Sequence, residues 1–368
     1  MDHWFQIGRA YSGTARTQEF ILILHDGVYL GGSFMNPMSA DKPLESTPIG
    51  RLMAWKNLAN YWSVATLLLI IVIFSIMQPV FFSVSNWLNT TTYMTETVLL
   101  AMGETYVIIT AGIDLSVGAV EGLAGVVAAL TMLSTESLGR TQAIIIGVVA
   151  GLAVGVLTGF INGMIISKMK ITPFIVTLGT MGIATGLTFI ISGGTDVVGL
   201  PSRLSNLGNT VFFGFLTFPA LISLIVIVLA GIWLARTRFG QHTYAVGSNA
   251  EAARRVGINV DRHLMKVYML SGTIAALSGV LLLTRFATGS PLTGANSELN
   301  AIAAVVIGGT SLFGGRGTVV GSVVGAAIIS VLITGLVILN VQSYWQLVAI
   351  GAIIILAVWI DQFRHRMR

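Results

Sequence analysis

From Arg51 onward the chain alternates long apolar runs with short polar breaks, and this rhythm leaves little choice of fold. Helices that cross a bilayer need about 20 apolar residues. Runs of that order are Ser63–Phe82, Thr92–Thr110, Leu115–Leu133, Thr141–Ile166, Thr172–Ser192, Pro219–Ala235, Met265–Phe286, Leu299–Leu312, Val319–Leu339 and Tyr344–Ile360. The second and third are parted only by Ala111-Gly112-Ile113-Asp114, and the eighth is short enough to be tilted, broken or re-entrant. Hydrophobic residues make up 54% of the chain and charged residues 10%. A soluble domain carries about a quarter charged residues, so lipid is the solvent for most of this surface. The expected fold is an all-α membrane protein, a polytopic bundle of about ten transmembrane helices.

Cations set the orientation. Cytoplasmic loops are enriched in Lys and Arg. With the N-terminus inside, the loops after even-numbered spans hold Lys168 and Lys170, then Arg236 to Lys266, then Arg316, then the Arg364–Arg368 tail. The opposite loops hold Arg140, Arg203 and, at a span end, Arg285. The asymmetry predicts both termini in the cytoplasm. The net charge of +5 comes from basic residues at the ends of apolar runs, including Arg51, Lys56 and Arg238. No basic face interleaved with aromatics appears, so no nucleic-acid partner is expected. Residues 1–50 are mixed and polar, with one apolar run, Phe20–Leu24. They read as an N-terminal tail, disordered or extraneous to the fold, with Met35, Met38 and Met53 as alternative starts. Residues 51–368 form the membrane domain.

Cysteine is absent and the five histidines lie outside the apolar runs. That removes thiolate chemistry and argues against a metal centre in the membrane. The Gly309–Thr318 segment, GTSLFGGRGT, has the glycine spacing of a phosphate loop but lacks the Lys-Ser/Thr that contacts phosphate and magnesium. It reads as a tight turn. No G-x-S-x-G elbow or HExxH motif occurs. No catalytic residue, cofactor or metal is expected on this chain.

Within the loop 236–264, Ser248-Asn249-Ala250-Glu251 has the form of a capping box, with the Ser248 hydroxyl at the N-cap and a carboxylate three residues on. Ala252, Ala253, Arg254 and Arg255 favour helix, and Gly257 offers a left-handed stop. The segment predicts a helix of about two turns, too short to stand alone in water. It must dock, which suits contact with another subunit.

Gly147, Gly151, Gly155, Gly159 and Gly163 recur every four residues, as do Gly317, Gly321 and Gly325, with Gly118 and Gly122 as a further pair. Small residues so spaced bring helices close in lipid. Each step turns the ladder by about 40°, so the long one is expected to touch two neighbours. Ionisable residues in spans are functional candidates: Glu96, Glu104, Asp114, Glu121 and Arg285. Asp114 and Glu121 flank a break and are expected near water, in an interfacial or a transport role. Hydroxyls and amides are more plentiful, among them Thr95, Thr97, Thr105, Thr158, Asn162, Thr177, Thr180, Thr185 and Asn300. They suit an uncharged polar cargo, although Ser and Thr also bond their own helix harmlessly. The candidate pathway is Glu96, Glu104, Asp114, Asn162, Thr180 and Asn300.

Three stretches carry a resemblance: Ile109–Gly118 (ITAGIDLSVG), Ala245–Arg254 (AVGSNAEAAR) followed by Gly257–Val260 (GINV), and Leu299–Gly315 (LNAIAAVVIGGTSLFGG). From about Arg51 the chain resembles the permease subunits of bacterial ABC sugar importers of the ribose, xylose and galactose type. The resemblance implies a multi-pass protein of the inner membrane, paired with a second permease chain, identical or related. Two cytoplasmic ATPase subunits would use ATP and Mg²⁺, and a periplasmic binding protein would deliver a monosaccharide. It places the coupling helix at Gly247, Ser248, Asn249, Glu251, Ala252, Ala253, Arg254 and Gly257. The extension before about Met38 departs from the family. Branched-chain amino acids are the rival cargo. An ion-coupled secondary transporter is the rival class; it would want broken helices in matching halves, and no counterpart to the break near Asp114 is evident in the sequence.

Overall fold

In a computed structural model, the protein is described at residues 22–24, 27–29 and 48–366, with side chains at 62–359 and 361–362. Most of the tail 1–50 and the side chains of Arg51, Lys56, Arg364, Arg366 and Arg368 lie outside the described residues. The chain divides into two units, Met1–Ala59 and Asn60–Arg368. In the first, β1 (Leu22–Leu24) pairs antiparallel with β2 (Gly27–Tyr29).

Helices occupy each of the ten long apolar runs from Ser63 onward. They are α1 (Pro48–Met77), α2 (Val84–Ile109), α3 (Val117–Ser134), α4 (Arg140–Lys168), α5 (Pro173–Ser192), α6 (Ser202–Gly208), α7 (Phe218–Arg236), α8 (Arg238–Ser248), α9 (Ala250–Arg255), α10 (Val260–Phe286), α11 (Ser297–Ile307), α12 (Val319–Ile338) and α13 (Ser343–Arg366). Among the described residues, six of them (α3, α4, α5, α7, α10 and α12) are long and apolar enough to cross a membrane. This is an all-α polytopic membrane protein. Local chemistry sets the boundaries. Pro79 ends the first run early, so α1 stops at Met77 and Pro79–Phe82 forms a 3-10 turn. The Ser83, Thr217 and Thr318 hydroxyls accept from the backbone N–H three residues on and start α2, α7 and α12. A short hairpin, β3 (Val211–Phe212) with β4 (Leu216–Thr217), leads into α7.

Helix α10 is the hub. It packs on α4, α3 and α2, and α2 in turn packs on α12, α11 and α7. The long glycine ladder does touch two neighbours: Gly147 and Gly151 face α3, and Gly155, Gly159 and Gly163 face α10. A Cβ on Gly155 would sit 2.1 Å from the Gly272 carbonyl oxygen, so only glycine permits this crossing. Of the shorter ladders, Gly321 and Gly325 do bring α12 close, against the Gly308 and Ala304 carbonyls at the end of α11. Gly118 and Gly122 pack on the Thr293–Gly294 backbone, with Gly118 also against Glu298 of α11, and Gly317 precedes α12. That backbone belongs to an irregular segment, 287–296, which folds back along α3. Gly289 lies beside Ala129, Thr293 beside Gly122 and Gly294 beside Gly118. Its polar backbone is met in part by paired bonds of 2.9 Å between Gly289 and Val197. Helix α11 then starts deep in the protein and runs 11 residues, about 17 Å, half of a bilayer core.

Beside the break near Asp114, the ends of α2 and α11 carry the same kind of cap. Helix α2 ends with Ala111 at φ +61, where the N–H groups of Ala111 and Gly112 donate to the carbonyls of Ile108 and Val107. Helix α11 ends the same way, with Gly309 at φ +91 and the N–H groups of Gly309 and Thr310 donating to Val306 and Val305. Both are Schellman caps. The two ends meet: the Gly315 N–H donates to the Ile109 carbonyl at 2.8 Å.

Candidate functional site

The polar loop 236–264 folds into α8 and α9 braced on α10. Helix α8 was not expected. Its N-cap is Thr237, whose hydroxyl accepts from the Gly240 N–H at 3.3 Å, and its buried side consists of Gly240, Thr243 and Val246. Phe239 anchors it against Trp233, Tyr106 and His263, with ring centroids 4.9, 6.0 and 4.8 Å away. Thr243 Oγ1 hydrogen-bonds His263 Nε2 at 3.1 Å. The Tyr244 hydroxyl donates to the Gly317 carbonyl at 2.8 Å. Burial pushes this phenol up from its ordinary range, so it remains a protonated donor.

Helix α9 corrects the capping reading. Ser248 closes α8, and the N-cap of α9 is Asn249, whose Oδ1 accepts from the Ala252 N–H at 2.9 Å. Asn binds a free N–H at a helix start as well as Ser does, and here the Ser–Glu reciprocity does not form. Glu251 instead pairs with Arg255 at 3.5 Å on the open face. The predicted stop holds. Gly257 has φ +88, its N–H donates to the Arg254 carbonyl, and the Ile258 N–H donates to Ala253, each at 3.0 Å. Ala253 is buried between Val246 and Val260. Asp261 ties the element down, accepting from Lys170 at 2.7 Å and Arg254 at 2.9 Å. These exposed pairs contribute under about 1 kcal/mol each; they fix position more than stability. Glu251, Ala252, Arg254, Arg255 and Val256 face outward.

Behind α9, Gly247 lies against the end of α2. A Cβ there would be 1.7 Å from the Ile109 carbonyl oxygen and 2.8 Å from the Gly315 nitrogen. The end of α8, the turn after α11 and the end of α2 therefore share one close-packed node.

Of the predicted pathway residues, Thr180, Asn162 and Asp114 form a single hydrogen-bonded thread. Thr180 Oγ1 donates to Asn162 Oδ1 at 2.6 Å, and Asn162 Nδ2 donates to Ser116 Oγ at 3.0 Å. Ser116 donates to Asp114 Oδ1 from Oγ at 2.6 Å and from N at 3.0 Å, and Ser271 reaches Oδ2 at 3.2 Å. Asp114 and Glu121 were expected near water. Both are buried, at 1% and 0% exposure, because α10 and the segment 287–296 close over the break. Most of the threonines bond their own helix: Thr95 to Thr91, Thr97 to Tyr93 and Thr158 to Val154.

The remaining carboxylates gather at the start of α11. Ser297 Oγ donates to Glu96, and Glu298 stands in the first helical turn. Glu298 Oε2 points at Gly118, and Glu121 Oε2 at Gly294. The positive end of the α11 dipole favours negative charge here. Glu104 stands on α2 near Asp114 rather than in this cluster, and the carboxylate oxygens of Glu104 and Glu121 are buried without a hydrogen-bond partner. Asn300 is half-buried on α11 and joins neither group. Two cavities flank the cluster: one of about 340 Å³ between α2, α10 and α12, and one of about 270 Å³ between α3, α5 and the folded-back segment. Sequence reasoning missed Ser116, Ser271, Ser297 and Glu298. Only Glu298 carried a signal, a charge at the head of a short apolar run.

Helices suited to lipid, a polar thread between them and a short capped helix at one face fit a multi-pass membrane transport subunit. The family described as "Branched-chain amino acid transport system / permease component" matches residues 86–358. Over 298 residues the chain is 40% identical to the ribose import permease protein RbsC of Bacillus subtilis, covering 80% of this chain and 90% of that one. It is 37% identical over 321 residues to the D-allose transport system permease protein AlsC of Escherichia coli, covering 86% and 95%. The galactose/methyl galactoside import permease protein MglC of E. coli is 36% identical over 316 residues, covering 81% and 93%. The chain belongs to this family and is the permease component of an ABC importer, a non-catalytic subunit that works with ATPase and binding-protein partners.

Proposed function

We propose that this chain carries a monosaccharide across the bacterial inner membrane. The supporting observation is its likeness, across most of its length, to permeases named for ribose, allose and galactose. The thread of amides and hydroxyls from Thr180 to Asp114 suits an uncharged polyol. In this reading residues 51–368 form the permease domain, with about ten spans and both ends in the cytoplasm, and residues 1–50 are a tail apart from it. Two permease chains, identical or related, pair in the membrane. A periplasmic protein delivers the sugar, and cytoplasmic ATPases hold the ATP and Mg²⁺, none of which this chain binds.

Motion enters through Gly247–Gly257. The ATPases grip the outward face of α9; Ala253 and Asp261 pass the displacement to α10, and Gly247 passes it to α2. Because α2 and α10 carry Glu104, Asp114's contacts and the α11 cluster's neighbours, tilting them rearranges the path. The test is reconstitution with the ATPase and binding-protein partners. ATP-dependent uptake of D-ribose, D-allose or D-galactose is expected. L-Leucine uptake in their place, or accumulation driven by an ion gradient without ATP, would refute it.

A further inference from the structure

The larger cavity lies at the Leu282–Phe286 end of α10, the end remote from the docking helix. With 27 residues in α10, the two ends are about 40 Å apart. Cargo released by a binding protein would meet this face first. A carboxylate and a guanidinium, Glu96 and Arg285, line the cavity together, yet the ion pairs among the described residues do not include them. Each is steadied from one side only. Glu96 Oε1 accepts from Ser297 Oγ, and Arg285 Nη1 donates to Asn209 Oδ1 at 3.4 Å while the Arg285 carbonyl accepts from Asn209 Nδ2 at 3.2 Å. Among the described residues neither side chain joins an ion pair, and both line a space of about 340 Å³. Asn89 and Thr92 add an amide and a hydroxyl, and Tyr93 and Phe286 put aromatic surface at the rim.

A small-molecule site has this composition: mostly apolar walls with a few fixed polar groups, in a volume of about 300–1,000 Å³. Opposite charges held apart need a ligand that both donates and accepts. Vicinal hydroxyls do both, donating to the carboxylate and accepting from the guanidinium. The ring C–H face of a sugar can lie on an aromatic. We infer that this cavity is a monosaccharide subsite of the permease, in which Glu96 and Arg285 hold the hydroxyls of the sugar after delivery and Tyr93 and Phe286 cover its apolar face. This rests on the sugar-permease reading above.

The chain has no cysteine, so Asn89→Cys places a single thiol at the cavity. The purified full-length variant in lipid nanodiscs is treated with a charged maleimide, with D-ribose or L-leucine in the millimolar range. D-Ribose is expected to slow labelling. With Glu96→Gln or Arg285→Gln added, about tenfold more ribose should be needed, the usual weight of one hydrogen bond to a charged group. The thermal midpoint of each variant shows whether it is folded, and Asn89→Cys alone carries the test if it is not. If the complete importer takes up ribose while the sugar leaves the thiol unprotected, the subsite is overturned and the transport function stands. Protection by L-leucine and not by ribose would overturn both.

Discussion

Gly155 and Gly179 show how one residue type means opposite things in one bundle. A methyl group on Gly155 meets the Gly272 carbonyl at 2.1 Å, whereas one on Gly179 meets nothing within 4 Å. Gly155→Ala must push α4 from α10 and should destabilise by about 1–3 kcal/mol, the range for overpacking. Gly179→Ala removes backbone freedom from a helix at no steric cost and should be neutral or stabilising by about 0.5–1 kcal/mol. Thermal denaturation in the same detergent reads both, and equal midpoints would refute the packing argument. A similar pair separates the two capping readings. Asn249→Ala removes the acceptor for the Ala252 N–H and should cost about 1 kcal/mol, seen as faster hydrogen exchange at Ala252. Ser248→Ala should leave that exchange nearly unchanged; the reverse order would restore the serine cap.

The start of α9 at Ala250 changes which proline breaks it. Glu251 falls in the first turn, where a missing N–H is one that the helix does not use. Glu251→Pro should therefore spare the element. The Ala253 N–H donates to the Asn249 carbonyl at 3.0 Å and its methyl group is buried. Ala253→Pro loses that bond and drives the ring into the carbonyl four residues back. The expected result is normal membrane insertion with loss of the ATPase stimulation that the loaded binding protein otherwise gives. Stimulation equal to the unmodified protein would count against α9 as the lever. Legibility in the sequence follows the same physics. The spans were readable because their apolar runs are long, and the α9 stop because Gly257 needs a positive φ. Helix α8 was hidden because its buried side is made of Gly240, Thr243 and Val246, too small and polar for an apolar count. The Thr237 cap and the spacing of those residues were its only marks. The fold of 287–296 was unreadable, since its backbone is held by Val197 and by glycines of α3, far away in the sequence. So was the burial of Asp114 and Glu121, which depends on that same segment.

At the scale of the molecule, the described salt-bridged cations and Arg285 stand at opposite ends of α10. Lys170, Arg254 and Asp261 meet at its start, joining the loop after α4 to the docking helix. Arg285 and Asn209 meet at its finish. Cations concentrate on the cytoplasmic side of membrane proteins, and the start of α10 has far more of them. In the proposed function α9 therefore lies in the cytoplasm and the Glu96 cavity at the opposite face, and the proposal depends on this because a cytoplasmic motor can reach only one of them. A chain without native cysteine makes the sidedness directly measurable. Val256 is 77% exposed beside α9, and Asn89 lines the cavity at the other face. In right-side-out vesicles an impermeant maleimide should label Asn89→Cys and leave Val256→Cys intact; in inverted vesicles the pattern should reverse. If both thiols react from the same side, α10 does not cross the membrane between them, and a force applied at α9 has no path to the cargo face.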